Sequence, residues 1–317
     1  MIRMLFGNVG PQYIDQKRVA SPLILEAGST IGLLFQRERI NPDTGKTEHT
    51  SSLGIGHVTT VFESEGEWFA LTCCHCLCSK PYYKSPEDDD LGTLFLPCLL
   101  VPQKNLWERF NNNNRRFDSL DISKEFMKYV VPAGFPYSVF APEIYLHENR
   151  IECGVFKVDN DIKKIEHGFR VDWDTYSKMF KPLGVEYHDE FENGVLLKFS
   201  GYSSIIYEGM ECFVHCSGKV TKCVVMDSMK EIPYSFEEEN EDDIGFLIDV
   251  FEIQPIEVYA PQSGDSGSPV FSVIDGELYL IGQVNVGDPI TRSIFCTKFY
   301  NIIENFLNDF DHGLTRL

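Results

Sequence analysis

The sequence lacks both a long hydrophobic run and a surplus of basic residues. No stretch approaches the roughly 18 consecutive apolar residues that a membrane-spanning helix needs. The chain has 28 Lys and Arg residues against 48 Asp and Glu residues, a formal net charge of −20. This acidic balance argues against a general nucleic-acid-binding protein, because phosphate backbones attract basic surfaces. We therefore expect neither a membrane nor a nucleic acid among its partners.

The N-terminus lacks the features of a secretory signal peptide. Gly, Pro and charged residues interrupt positions 1–23 before an apolar core of the usual length can form. The ten cysteines are unevenly spaced, and four of them crowd into positions 73–78. Neighbours on a strand point to opposite faces and rarely bridge each other. Reduced thiols in an intracellular compartment account for these features, so we expect a cytoplasmic protein.

Short strand-like runs dominate the rest of the chain. Segments such as STIGLLFQ, EWFALTCC, GVLLKFSGY and LYLIGQVNV are rich in Val, Ile, Phe and Leu and are separated by turn-forming residues. They predict an all-β protein of the sandwich or barrel type rather than repeated βαβ units. Two segments differ: 117–130 predicts a short helix, and 297–310 has the apolar spacing of an amphipathic helix.

Ser266 is the first candidate for a catalytic residue. It lies in APQSGDSGSPVF (260–271), a polar, glycine-containing turn before an apolar strand. A serine is a weak nucleophile unless a base takes its proton and an acid orients that base. Among eight histidines, His75 differs because it ends the apolar strand WFALTCCHCL. Taken alone, a histidine in such a place is more often a core or turn residue.

These two motifs together resemble those of the chymotrypsin/trypsin-like serine peptidases. Positions 72–76 resemble the strand-to-turn motif around that family's histidine, with cysteines in place of alanines, and 264–269 resemble its nucleophile loop. The resemblance implies His75 as general base and Ser266 as nucleophile. It also implies an oxyanion hole formed by the backbone N–H groups of Gly264 and Ser266. Such a mechanism uses no cofactor and no metal.

The acid implied by the resemblance lies between these motifs, at the start of a strand. Glu152 in IECGVFKV is the best match, although trypsin-like enzymes use aspartate there. The additional methylene of glutamate requires the backbone to lie slightly farther from the imidazole. Asp159 and Asp161 are alternatives, but both follow the strand and would need a different local fold.

The resemblance further implies two six-stranded antiparallel β-barrels with a C-terminal α-helix. His75 and Glu152 then belong to the first barrel and Ser266 to the second. The expected domains are an N-terminal extension (1–27), a first β-barrel (28–165) with an insertion (79–150), a linker (166–193), a second β-barrel (194–296), and a helix with a tail (297–317).

The resemblance also suggests where a substrate side chain would bind. It implies Ala260 at the base of the pocket and Asn285 and Gly287 at its edge. Because Ala260 carries no charge, we expect an uncharged, shallow pocket and no preference for Arg or Lys.

The family's activation motif is absent from positions 15–35. Asp265, which in zymogen-type members pairs with the freed N-terminal amine, therefore has another partner or none. We expect a non-zymogen, intracellular-type member. It is either active as synthesised or dependent on an activating or recruiting protein partner.

These observations favour a serine endopeptidase that hydrolyses a polypeptide substrate through an acyl-enzyme with a Ser-His-Glu triad. A catalytically silent trypsin-like fold that binds proteins is the alternative. Zinc sites at 73–78 or 212–223 are a further rival. The first cluster is too dense for the usual spacing of zinc ligands, and an alternating strand would split it across two faces.

Overall fold

The structure is a computed structural model of the 317-residue chain. It describes residues 24–40, 47–77, 98–100, 131–140, 148–149 and 151–317, except 161, 163, 217, 235–244, 258 and 263. The helix predicted at 117–130 and most of the insertion predicted at 79–150 lie outside these ranges. Among the helices described, none has the length and apolar character needed to cross a bilayer.

An antiparallel sheet of seven strands forms the first half of the described chain. Its outer strands, β3 and β4, are not paired with each other in the described residues, so the closed first barrel stays a prediction. In order across the sheet, the strands are β3 (Thr47–His57), β2 (Thr30–Ile40), β6 (Cys98–Leu100), β7 (Val131–Phe140), β9 (Cys153–Val158), β5 (Glu67–Thr72) and β4 (Thr60–Ser64).

Alternate residues of this sheet pack into two different hydrophobic cores, as the two-residue period of a strand requires. Val61, Ala70 and Phe156 belong to one core. Phe62 and Leu71, their neighbours along β4 and β5, belong to the other, which also includes the C-terminal helix. Both faces of the sheet are therefore buried at these positions.

A closed six-stranded antiparallel barrel forms the second half, as predicted for this part of the chain. Its core is rich in Val, Ile and Cys. Around the barrel the strands are β14 (Glu211–Cys216), β15 (Lys219–Tyr234), β16 (Gly245–Pro255), β19 (Ser293–Lys298), β18 (Glu277–Asp288) and β17 (Pro269–Ile274), which pairs with β14 again.

Residues 166–193, expected to be a linker, have regular structure. They include β11 (Gly168–Asp172), β12 (Asp189–Phe191) and a helical segment that begins with α1 (Trp173–Thr175) and continues to Leu183. Asp172 caps α1 by accepting a hydrogen bond from the Thr175 backbone N–H at 2.7 Å. β11 and β12 both pair with β13 (Gly194–Tyr202). The proposed domain boundaries themselves stay a prediction.

The remaining elements are short. The predicted C-terminal helix is confirmed as α2 (Phe299–Ile302), which continues through Ile303–Leu307. Its apolar residues Phe299, Ile302 and Leu307 are fully buried against the first sheet and β13. Two-residue strands complete the fold: β1 (Ile24–Leu25) pairs with β10 (Lys164–Ile165), and β8 (Glu148–Asn149) pairs with β16.

Gln283 on β18 joins the barrel to the first sheet. Its fully buried side chain donates through Nε2 to Cys73 Sγ at 3.0 Å and to the Glu152 carbonyl at 3.2 Å. Its Oε1 accepts from Thr59 Oγ1 at 2.7 Å. Both ends of the amide are thus hydrogen-bonded to the other half of the structure. This contact sets the register between the two halves.

Replacing Gln283 with leucine should lower the free energy of unfolding by about 1–3 kcal/mol, because Thr59 and the Glu152 carbonyl would lose a buried partner. Urea-induced unfolding measures the change. Gln262→Leu is the control, since that side chain is exposed, and it should alter stability by less than about 0.5 kcal/mol. Equal effects of the two substitutions would contradict this role of Gln283.

Candidate active site

Pairing of β5 with β9 brings His75 and Glu152 together. Thr72, at the end of β5, lies opposite Gly154 at the beginning of β9. The chain leaves β5 and forms one 3-10 turn, Cys74–Cys76, which carries His75. Glu152 Oε1 accepts from the His75 backbone N–H at 2.6 Å and lies 3.1 Å from Nδ1. With Nδ1–H donating to Glu152, Nε2 is the nitrogen that can accept a proton.

Glu152 controls the protonation of His75. The carboxylate is completely buried, whereas the His75 side chain is 32% exposed. Burial lowers the pKa of His75, but the negative charges of Glu152 and Cys76 outweigh it and raise that pKa well above its ordinary value. The carboxylate therefore stabilises the imidazolium, which is the role of a triad acid.

Asp159, one of the two alternative acids, does not lie beside His75. Asp159 follows the six residues of β9, so it is separated from Glu152 by about 20 Å of extended chain. Its backbone N–H donates to the Ala133 carbonyl at 2.8 Å. Asp161 lies outside the described residues. Of the two candidates that the structure describes, Glu152 is the one that lies beside His75.

Ser266 lies on the turn before β17 and contacts β18. Its Oγ donates to the Asn285 carbonyl at 2.9 Å, and its own carbonyl accepts from the His57 backbone N–H at 2.8 Å. The Asn285 side chain accepts from Cys73 Sγ at 3.3 Å. The Ser266 turn and the end of β5 therefore meet at one residue. Within the described residues, no hydrogen bond joins Ser266 Oγ to the His75 ring.

Gly264 and Ser266 were predicted to form an oxyanion hole. Gly264 has φ +97°, in the left-handed region that favours glycine. In the described part of the chain, neither its N–H nor that of Ser266 donates to a protein acceptor, whereas the Asp265 N–H between them donates to Gln262. Two such amides are what an oxyanion hole requires. Their catalytic role stays a prediction.

Asp265, left without a partner in the sequence argument, has three donors. Tyr259 OH and the Gln262 backbone N–H donate to Oδ2, the latter at 2.8 Å, and Cys216 Sγ donates to Oδ1 at 3.1 Å. Cys216 Sγ also lies 3.5 Å from His57 Nε2. These contacts hold the residue beside Ser266. Sequence reasoning did not identify Tyr259 or Cys216 as its partners, because no local pattern connects them to the nucleophile loop.

The predicted pocket residues differ in their surroundings. Ala260 is exposed. Asn285 is buried, and its amide donates to Thr297 Oγ1, so the side chain is directed into the protein. Gly287 packs against Pro261, where a Cβ on the glycine would lie 2.2 Å from the proline Cβ. Little room remains between the segments that carry Pro261 and Gly287.

Among the residues that the structure describes, one group of side chains has the geometry to hold a metal ion. Cys73, His75 and Glu152 each offer a ligand atom, and these atoms lie within 4.8 Å of one another. The expectation that an alternating strand would split the first cysteine cluster was wrong. β5 ends at Thr72, and the chain turns at Cys74–Cys76.

The second candidate zinc cluster is not brought together. Cys212 and Cys223 are opposite each other on β14 and β15. His215 instead lies 3.1 Å from the Ala27 carbonyl through Nδ1, and Cys216 donates to Asp265. None of the cysteines whose side chains are described forms a disulfide.

No family model matches the sequence, and no curated protein matches it. Solved structures similar to the chain include Thermobifida fusca Protease A, with 8% identity and a TM-score of 0.45 over 89% of this chain and 96% of that chain. Nocardiopsis protease has 10% identity and a TM-score of 0.44, over 90% of this chain and 97% of that chain. Cellulomonas bogoriensis chymotrypsin has 10% identity and a TM-score of 0.43, over 89% of this chain and 96% of that chain. TM-scores below 0.5 say nothing about activity.

The pKa of His75 should fall when Glu152 is replaced by glutamine, because the neutral amide no longer stabilises the imidazolium. NMR titration of the ring should place the wild-type pKa above the ordinary value of about 6.5. His167 is the internal control: burial lowers the pKa of that ring, and the substitution should leave it unchanged. An identical His75 titration in both proteins would exclude electrostatic control by Glu152.

Replacing Tyr259 with phenylalanine should lower the free energy of unfolding by about 1.5–3 kcal/mol, the usual value of a hydrogen bond to a charged group. The Asp265 carboxylate loses one of its donors in this variant. Tyr207→Phe, at an exposed tyrosine, is the matched control and should have almost no effect. The account of Asp265 fails if chemical denaturation gives the two variants the same stability.

Proposed function

We propose that this protein is a chymotrypsin-like serine endopeptidase with the triad Ser266, His75 and Glu152. The observation that carries the proposal is the convergence of both halves of the site on β18. Gln283 binds the backbone of Glu152 and the thiol of Cys73, while Asn285 binds Cys73 and Ser266. Cys73, Glu152 and Ser266, which are far apart in the sequence, are thereby held at the same short segment of β18.

The reaction begins with rotation of the Ser266 hydroxyl from the Asn285 carbonyl toward His75 Nε2. Nε2 takes the proton as Oγ attacks the peptide carbonyl carbon, and Glu152 stabilises the imidazolium that forms. The N–H groups of Gly264 and Ser266 bind the oxyanion, at a gain of about 3 kcal/mol for each donor in the transition state. The imidazolium then protonates the leaving amine.

Hydrolysis of the acyl-enzyme completes the cycle. His75 removes a proton from water, and the resulting hydroxide attacks the ester carbon and releases the carboxylic acid. The same imidazolium returns its proton to Ser266 Oγ. Every proton is thus carried by His75, and no cofactor is needed.

The substrate proposed is a polypeptide with a small, uncharged side chain before the cleaved bond. Ala260 provides no charge to pair with Arg or Lys, and the contact between Pro261 and Gly287 restricts the space beside it. A protein-binding module without catalysis is the second candidate. It is favoured by the hydrogen bond of Ser266 Oγ to Asn285, which directs the hydroxyl to a partner other than His75.

A fluorophosphonate probe tests the proposal, because it reacts with serines that are activated as nucleophiles. Wild-type protein should be labelled, and Ser266→Ala should not. His75→Gln should react at least about 100-fold more slowly, since it lacks the general base. Ser177→Ala, at an exposed serine, should react like the wild type. Absence of labelling in folded wild-type protein would reject a constitutively active peptidase and favour the binding module.

A further inference from the structure

One oxygen of the buried Glu152 carboxylate has no protein partner. Oε1 contacts the His75 backbone and ring, but Oε2 is inaccessible to solvent and makes no hydrogen bond with the described residues. Leaving such an atom unpaired is unfavourable, and more so if the group is charged. A buried, unpaired carboxylate oxygen of this kind is suited to binding a cation.

Cys73 supplies a second ligand beside this carboxylate. Its Sγ, a ring nitrogen of His75 and a Glu152 oxygen lie within 4.8 Å of one another, with Nδ1 and Oε1 separated by 3.1 Å. With bonds of about 2.0–2.3 Å, the ligand atoms of tetrahedral zinc lie about 3.3–3.8 Å apart. Small side-chain movements would therefore enclose an ion.

The chemistry of these ligands favours zinc over magnesium or calcium. Thiolate and imidazole are preferred by zinc, whereas magnesium and calcium prefer oxygen ligands alone. Gln283 Nε2 donates to Cys73 Sγ at 3.0 Å, and such a hydrogen bond stabilises and orients a thiolate ligand. The exposed part of His75 offers the ion a path to the two buried ligands.

We propose that Cys73, His75 and Glu152 form an inhibitory zinc site. Binding converts the Cys73 thiol to a thiolate and releases its proton to solvent, and it also displaces the proton on His75 Nδ1, which an imidazolium likewise releases to solvent. A neutral His75 that binds zinc through Nδ1 carries its proton on Nε2, so it cannot accept a proton from Ser266. Water occupies the fourth zinc position. The zinc site itself does not depend on peptidase activity, but its inhibitory effect rests on the proposed function.

Zinc binding can be measured without any substrate. The full-length protein, freed of metal with EDTA, should bind one equivalent of zinc in isothermal titration calorimetry. Cobalt(II) in its place should give the absorption of a tetrahedral, thiolate-ligated ion. Cys73→Ala should weaken zinc binding by about 100-fold, as expected for loss of a ligand. Cys74→Ala is the control, because Cys74 is buried beside Cys73 but is not one of the three proposed ligands. This variant should bind zinc with the affinity of the wild type.

If Cys73→Ala does not fold, Cys73→Ser provides the same test, because its hydroxyl can still accept from Gln283 but is a poor zinc ligand. Two results would overturn the site. One is absence of zinc binding by the wild type. The other is binding of equal affinity by wild type and the folded Cys73 variant.

The inhibitory effect is tested with the fluorophosphonate probe. Saturating zinc should slow labelling of the wild type by at least about tenfold, as loss of the general base predicts, and EDTA should restore it. A protein that binds zinc but is not labelled even with EDTA would refute the proposed peptidase and leave the site intact. Unchanged labelling of the zinc-loaded protein would refute inhibition.

Discussion

The segment Gln283–Asn285 of β18 is the constraint on which the rest of the site depends. The Gln283 amide satisfies polar groups of the first sheet, and the Asn285 carbonyl receives the Ser266 hydroxyl. The Gln283 contacts are buried and the Ser266 contact is partly buried, and an unpaired buried polar group is costly. A shift of β18 by one residue would also turn its side chains to the opposite face. The strand register therefore determines whether His75 and Ser266 share a site.

Local patterns were sufficient to predict several parts of this arrangement. The apolar strand that leads to His75, the glycine-containing turn at Ser266 and the helical spacing around Phe299 were all recognisable in the sequence. Each depends on residues close together in the chain. The closed second barrel could also be expected from the number of short strands and from the family resemblance.

Long-range packing determined the parts that the sequence did not reveal. Residues 166–193 are polar enough to look like a linker, yet Phe169 and Phe180 are buried in a cluster with Phe213 and Phe271. One donor to Asp265, Cys216, depends on where β14 lies relative to the nucleophile loop. Among the described residues the first sheet has seven strands, and their pairing across long separations in the sequence leaves little local signal.

The central claim is that Ser266, His75 and Glu152 act as one catalytic unit. A crystal structure of the protein after reaction with a peptidyl phosphonate tests it most directly. The account predicts phosphorus bonded to Ser266 Oγ, an adduct oxygen within about 3 Å of the Gly264 and Ser266 N–H groups, and His75 Nε2 within hydrogen-bonding distance of the adduct. An unmodified Ser266 still bonded to Asn285, or an adduct on another residue, would contradict it.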